Sequence, residues 1–225
     1  MINTPPPFNN NTYQGYSPTD IATASSAIRR VYLKMTLALL VTAFTALGCY
    51  NSPAFWSFMQ ANSWATWGLF IVELILVFAI SGAIQKMSTA TGTLLFYLFA
   101  LVNGIALTPI FIVYTHTSIA KTFFITAATF GAMSVYGYFT VKDLTRWGSI
   151  LIMSLFGLII AAVVNMFLRS SGLDWIISIV GVLIFVGLTA WDTQRIKQLA
   201  QVTPANQVGR LATIGALNLY LDFIN

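Results

Sequence analysis

The chain has 225 residues, of which 57% are hydrophobic and 8% are charged, and its formal net charge is +5. A soluble domain has about 25% charged residues, so the composition excludes an ordinary soluble fold. One cysteine rules out an internal disulfide, and one histidine argues against a metal site built from histidines. The basic residues flank apolar segments and form no single patch, which argues against a nucleic-acid partner.

The chain begins with a polar segment that has too little apolar surface to fold alone. Residues 1–18 contain four of the seven prolines and many Asn, Thr and Ser residues. We therefore predict a flexible cytoplasmic tail over residues 1–28 and a transmembrane domain over residues 29–225.

Apolar segments of membrane-crossing length follow in series. A transmembrane helix needs about 20 apolar residues, and the pattern predicts spans at about 31–50, 64–84, 92–113, 120–141, 147–168, 174–194 and 211–225. An interfacial turn is expected at Pro53, and Pro109 predicts a kink in span three because it lacks a backbone donor. The seventh span has about 15 residues before the sequence stops. We expect the natural chain to continue beyond Asn225.

The last segment, LATIGALNLYLDFIN, indicates how the spans are arranged. It contains the small residues Ala212, Gly215 and Ala216, which let neighbouring helices approach closely. It also contains Asp222, and a carboxylate facing lipid costs roughly 2.5–3.5 kcal/mol. We therefore predict an all-α membrane protein, a bundle of seven transmembrane helices with the C-terminal helix at its centre.

The distribution of basic residues predicts the orientation in the membrane. With the N-terminus inside, two basic residues, Lys121 and Arg169, fall outside. The other nine fall inside and are Arg29, Arg30, Lys34, Lys86, Lys142, Arg146, Arg195, Lys197 and Arg210. This bias is typical of a cytoplasmic N-terminus and, with seven spans, an outer C-terminus.

Asp192 and Asp222 are the acids that most resemble a functional pair. Asp192 is predicted at the cytoplasmic end of span six, where the negative end of the helix dipole disfavours a carboxylate. Two carboxyl groups that share a proton titrate together, a pattern suited to sensing pH. The alternatives are that Asp192 pairs with Arg195 or Lys197, and that Asp222 is satisfied by hydroxyl or amide groups of neighbouring helices.

The predicted depths of the two acids leave their contact open. At about 1.5 Å per residue, Asp222 lies about 18 Å beyond Arg210, whereas Asp192 lies only about 5 Å from Arg195. The two acids meet only if the last helix begins well below the membrane surface.

Glu73 is predicted near the middle of span two. It is either a protonated, hydrogen-bonded acid that stabilises packing, or a step on an ion path. Asn103 and Asn218 could add oxygen ligands to such a path, although buried amides in helix packing are common.

Four segments resemble the Bax inhibitor family, also called the transmembrane Bax-inhibitor-motif family, and its bacterial branch in particular. They are NGIALTPIF in span three, TAATFGAMSVYGY in span four, TAWDTQRIK at the end of span six and LNLYLDFIN in span seven. The resemblance covers the chain from about residue 30 to its end, and implies a seven-helix bundle in the bacterial inner membrane.

The resemblance also implies roles for single residues. Asp192 and Asp222 match the family's di-aspartyl pH sensor, and Glu73 matches an acid on its proposed calcium path. The family's latch is an arginine in a basic cluster that closes the second helix. This sequence has Ile84 and Gln85 there, followed by Lys86, so Lys86 and Arg195 are the latch candidates.

The function predicted on this basis is a proton-gated cation leak in which Asp192, Asp222 and Glu73 bind calcium weakly and transiently. Calcium is then a permeant ion, and no cofactor is expected. The alternative is a membrane regulator that binds a membrane protease or another membrane protein through the 1–28 tail. An enzyme is not expected, because the sequence shows no nucleophile with a base, metal cluster or phosphate-binding loop.

Overall fold

The computed structural model of the chain describes residues 18–83 and 86–225, and it describes side chains from residue 24 onward. Within these residues the chain forms nine α-helices and no strand. The helices are α1 (Pro18–Tyr50), α2 (Pro53–Ala61), α3 (Trp64–Ala83), α4 (Thr89–Leu107), α5 (Ile110–Val113), α6 (His116–Phe139), α7 (Thr145–Leu168), α8 (Ser171–Val202) and α9 (Val208–Ile224). A 3₁₀ turn, Ala205–Gln207, precedes α9.

Hydroxyl side chains cap the starts of several helices and satisfy free backbone N–H groups there. Ser52 accepts from the backbone N–H of Phe55 at the start of α2. Thr115 accepts from Ser118 at the start of α6. The Thr115 cap places residues 116–119 in the first turn of α6, whereas the sequence had predicted that the fourth span starts at about residue 120. The helix therefore begins about one turn earlier than expected.

Six helical segments of the described chain are long and apolar enough to cross a membrane. They are Ala24–Tyr50, Trp64–Ala83, Thr89–Val113, His116–Phe139, Thr145–Leu168 and Ser171–Val202. These segments coincide with the first six predicted spans, although their ends differ. The third segment is interrupted between α4 and α5 at Thr108 and Pro109, where the missing backbone donor of proline predicted a kink.

The predicted end of span six at residue 194 is wrong. Helix α8 continues to Val202, because no proline or glycine interrupts the chain between Gly187 and Pro204. The predicted link before the last span is also shorter than expected, since α9 begins at Val208 and includes Gly209. At the other end of the chain, α1 begins at Pro18, so residues 18–28 are helical. Residues 1–17 of the predicted tail lie outside the described part.

Helix α9 packs against α1, α4, α6 and α8. Its side chains supply much of the main hydrophobic core, in which Leu217, Leu219 and Tyr220 are fully buried. The ring of Tyr220 meets those of Phe96 and Phe99 edge to face, with centroids 5.8 and 5.7 Å apart. By contrast, α3 packs chiefly on α4, and α7 chiefly on α8.

Candidate functional site

Asp192 lies well inside α8, whereas Asp222 lies in the last turn of α9. Asp192 has ten residues of α8 after it, or about 15 Å of helix, and Asp222 has fourteen residues of α9 before it, or about 21 Å. The sequence argument from the helix dipole therefore does not apply to Asp192, because the negative end of α8 lies almost three turns away. The extended α8 also removes the mismatch in depth between the two acids.

The structure brings the two acids together. Both residues are buried, with exposed fractions of 6% for Asp192 and 9% for Asp222. The side chains of Asp192 and Asp222 lie close enough to interact electrostatically, and the side chain of Asn218, one turn before Asp222, lies close to Asp192. Two neighbouring carboxyl groups can hydrogen bond to each other only when one of them carries a proton. Asp192 Oδ1 and Asp222 Oδ2 have no hydrogen-bond partner among the described residues.

The two latch candidates differ in their relation to this pair. Arg195 lies one turn after Asp192 in α8, and its charge interacts electrostatically with that carboxyl group. Its guanidinium group also lies 5.2 Å from the centre of the Trp191 ring. Lys86 is exposed in the turn between α3 and α4. Residues 84 and 85, where the resemblance implies a basic cluster in relatives, lie outside the described residues.

Glu73 lies apart from the aspartate pair. Its Oε1 accepts a hydrogen bond of 2.9 Å from the amide of Asn103, and the oxygen of Asn103 accepts one of 3.0 Å from the Tyr220 hydroxyl. Tyr220 precedes Asp222 by two residues, and side chains two apart on a helix point to nearly opposite sides. In the part of the chain that the structure describes, no three His, Cys, Asp or Glu side chains are close enough to hold a metal ion.

A cavity of about 410 Å³ lies beside Asp222, between α6, α8 and the end of α9. Its lining includes Thr122, Thr126 and Thr129 on α6 and Thr189 on α8. These residues provide oxygen atoms next to the buried carboxyl group.

Two further groups of polar contacts were not predicted from the sequence. Gln194 spans the loop between α6 and α7: its Oε1 accepts from the backbone N–H of Leu144 at 2.9 Å, and its Nε2 donates to the carbonyl of Lys142 at 2.8 Å. Lys197 donates to the carbonyl of Tyr138 at 2.6 Å. Gln194 is two residues from Asp192, so the same turn of α8 holds both the acid and this loop.

The second group joins α1, α4 and α9. Lys34 Nζ donates to Thr93 Oγ1 at 2.6 Å and to Thr213 Oγ1 at 2.7 Å. The sequence places Lys34 among the cytoplasmic basic residues, whereas the structure shows it half-buried between helices. The one signal of this burial in the sequence was that Lys34 is the fourth residue of the predicted span 31–50.

In the loop between α6 and α7, Asp143 begins the turn that leads into α7. Its Oδ1 accepts from the backbone N–H of Thr145 at 2.9 Å and from the Thr145 hydroxyl at 2.6 Å. These hydrogen bonds, helped by the nearby charge of Arg146, hold the pKa of Asp143 below its usual range.

Comparison with known proteins identifies the family. The model of the family described as "Inhibitor of apoptosis-promoting Bax1" matches residues 24–225. The chain is 45% identical over 199 residues to the inner membrane protein YbhL of Escherichia coli K12, covering 87% of this chain and 85% of that protein. It is 44% identical over 208 residues to an uncharacterized protein of Borreliella burgdorferi, covering 92% and 90% of the two chains. The chain therefore belongs to the Bax inhibitor family and is a multi-pass protein of the bacterial inner membrane.

Proposed function

We propose that the protein is a passive cation leak of the inner membrane, with calcium as the permeant ion and the Asp192–Asp222 pair as its proton-sensitive gate. The observation that supports this most is the contact between two buried carboxyl groups on adjacent helices. A pair that shares one proton retains one negative charge, and the nearby charge of Arg195 attracts it. Gating in this proposal involves no enzymatic step.

Protonation of the second carboxyl group would open the gate. It removes the remaining negative charge of the pair and hence the attraction to Arg195, so α8 and α9 are free to separate. Calcium prefers six to eight oxygen ligands. The threonine hydroxyls of the neighbouring cavity and water would then offer a weak site, as conduction requires. Glu73 remains a proposed ligand at a separate point of the path.

The topology that this function needs has seven spans, with α9 as the seventh. Its 17 residues extend about 25 Å, close to the thickness of a bilayer core. Its contacts with α1, α4, α6 and α8 favour a central position in the bundle. The basic residues favour a cytoplasmic N-terminus.

Calcium flux into proteoliposomes, measured from about pH 8 to about pH 6, tests the proposal because coupled carboxyl groups are able to titrate in this range. Wild-type protein should leak more as the pH falls. Asp192→Asn and Asp222→Asn should remove that dependence on pH. Asp143→Asn is the matched control, because it makes the same change in an exposed loop. Unchanged pH dependence in both pair variants would disprove the gate.

The alternative, a regulator that binds a membrane protease or another membrane protein, is separated from the leak by removing the tail. The deletion should stop at residue 17, because Ala24 and Ala27 are buried against Ala200 and Val208 in a second apolar cluster. A leak should survive this deletion. Loss of partner binding together with absence of any calcium flux would favour the regulator instead.

A further inference from the structure

A chain of hydrogen bonds crosses the interior from α3 to α1, separate from the aspartate pair. It starts with the bonds from Asn103 to Glu73 and from Tyr220 to Asn103. The Tyr220 hydroxyl also lies 2.6 Å from Thr42 Oγ1, which in turn lies 2.8 Å from the carbonyl oxygen of Ala100. Thr42 and Tyr220 are buried, with exposed fractions of 4% and 0%. Bulk water therefore does not complete these bonds.

The number of hydrogen atoms in this chain depends on the charge of Glu73. The Ala100 carbonyl and an ionised Glu73 only accept hydrogen bonds, and the hydroxyls of Tyr220 and Thr42 carry one hydrogen each. If Glu73 is ionised, the amide of Asn103 donates to it and Tyr220 donates to Asn103. The single hydrogen of Thr42 must then serve both Tyr220 and Ala100. One close oxygen–oxygen contact is left without a hydrogen, which is costly in a buried site.

A proton on Glu73 satisfies every contact once the oxygen and nitrogen of the Asn103 amide exchange places. The two ends of an Asn amide have nearly the same shape, so its oxygen and nitrogen are interchangeable in position. With the amide of Asn103 turned over, Glu73 donates to its oxygen and its nitrogen donates to Tyr220. Tyr220 then donates to Thr42, and Thr42 donates to Ala100. Four contacts are filled by four hydrogens, all pointing from α3 towards α1.

We infer that Glu73 is a second proton-binding site of this protein, whose proton directs a hydrogen-bond chain through Asn103 and Tyr220 to Thr42. This inference goes beyond the proposed leak and does not depend on it. A Glu73 that holds a proton is not a cation ligand. It would bind calcium only after losing that proton, which breaks the hydrogen-bond chain.

The charges around the chain agree with a neutral Glu73. Glu73 is the one titratable residue of α3, and Tyr97 is the one titratable residue of α4, on which α3 packs. Lys34 lies about two turns before Thr42 in α1, but Lys34 donates to Thr93 and Thr213. Neither α3 nor α4 contains a basic residue, and a half-buried carboxylate without a cation is disfavoured in a membrane.

On α9, the titratable residues beside the chain are Tyr220, which belongs to it, and Asp222, which points to the other side and contacts Asp192. Arg210 is ten residues earlier in the same helix. Tyr220 therefore links the proton of Glu73 to the helix that carries Asp222. We regard Asn103 and Tyr220 as positioning residues for α9.

Infrared difference spectroscopy of the full chain in lipid bilayers tests the inference. At neutral pH, the spectrum of the wild type minus that of Glu73→Gln should contain the C=O stretching band of a protonated carboxylic acid. The aspartate pair contributes equally to both proteins and cancels. A difference spectrum with only carboxylate bands would overturn the inference.

Two tyrosine variants test the direction of the chain. Tyr220→Phe removes the hydroxyl that accepts from Asn103, so the band of Glu73 should shift in frequency because its hydrogen bond changes. Tyr97→Phe on α4 is the matched control, since it removes a hydroxyl outside the chain, and it should leave the band in place. Equal effects of the two variants, or no effect of Tyr220→Phe, would contradict the proposed chain.

Discussion

Gly137 on α6 lies against the backbone of Ala190 on α8, and an alanine at Gly137 should push the two helices apart. A Cβ atom built at Gly137 lies 2.2 Å from the carbonyl oxygen of Ala190 and 2.9 Å from its carbonyl carbon. Favourable contacts between such atoms lie at about 3.5–4.0 Å. The obstacle is backbone, so no change of rotamer relieves it, and the helices must separate by about 1 Å.

The free-energy cost of this clash can be isolated by comparison with Gly131, which lies in the same helix. A Cβ atom at Gly131 meets nothing within 4 Å. Both substitutions gain about 0.8–1 kcal/mol from the better helix propensity of alanine, so this gain cancels when the two variants are compared. What remains is the cost of overpacking, which is about 1–3 kcal/mol. Gly137→Ala should therefore be less stable than Gly131→Ala by about 1–3 kcal/mol.

Equilibrium unfolding of both variants in the same detergent measures this difference. If the two variants were equally stable, α6 and α8 would not approach as closely as the structure shows. Gly137→Ala also bears on the site, because Ala190 is two residues before Asp192. In the calcium flux assay, this variant should alter the leak at a given pH, whereas Gly131→Ala should leave it unchanged.

Two further predictions concern the loop between α6 and α7. Gln194→Ala should destabilise the protein by about 1–3 kcal/mol, because the buried N–H of Leu144 loses its acceptor. The control Gln201→Ala changes an exposed glutamine and should have almost no effect. Equal melting temperatures of the two variants would show that Gln194 does not hold the loop. Asp143→Ala should lower stability at neutral pH, because the lowered pKa of Asp143 means that its ionised form favours the folded state through Thr145. The stabilisation by ionised Asp143 is present above the pKa of an unfolded Asp, about 3.9, and is lost as the pH falls through the lower pKa of the folded state. The difference in melting temperature between Asp143→Ala and wild type should therefore vanish in acid. A difference that persists in acid would exclude the charge as its cause.

The apolar pattern predicted most of the helical segments, because length and hydropathy alone decide whether a segment can cross a bilayer. The pattern was less informative about where a helix ends outside the bilayer. The segment from Thr193 to Val202 is polar, yet it contains no residue that breaks a helix, so α8 continues. The sequence prediction therefore placed Asp192 at the end of a helix, whereas α8 continues beyond it to Val202.

The partners of the polar residues could not be predicted, since they depend on how the helices pack. Tyr220 reads in the sequence as one more aromatic residue of an apolar segment, and Gln194 as the polar end of span six. Their roles become visible only when α9 lies against α1 and α4, and α8 against α6. The acids were easier to find, because a charge in an apolar segment needs a partner whatever the arrangement of helices.

Two sets of polar contacts each hold several helices together. One set joins α9 to α1 and α4 through Lys34, Thr42 and Tyr220. The other set joins α8 to the end of α6 and the following loop through Gln194 and Lys197. Neither set includes Asp192 or Asp222, so neither should be broken directly when the charge of that pair changes.

The contact between the two sets is mostly apolar and is the natural place for movement. There α8 meets α9 and α1 around Gly215, where an added Cβ would lie 3.1 Å from the side chains of Ile196 and Val31. The Tyr32 hydroxyl and Thr193 Oγ1 are 3.3 Å apart across the same contact, and the aspartate pair spans it as well. Because the bonds within each set hold its helices together, a repulsive or uncharged pair should separate α8 from α9 along this contact and leave the helices within each set packed as they are. A structure at low pH in which α8 moves away from α6, and stays against α9, would contradict this division.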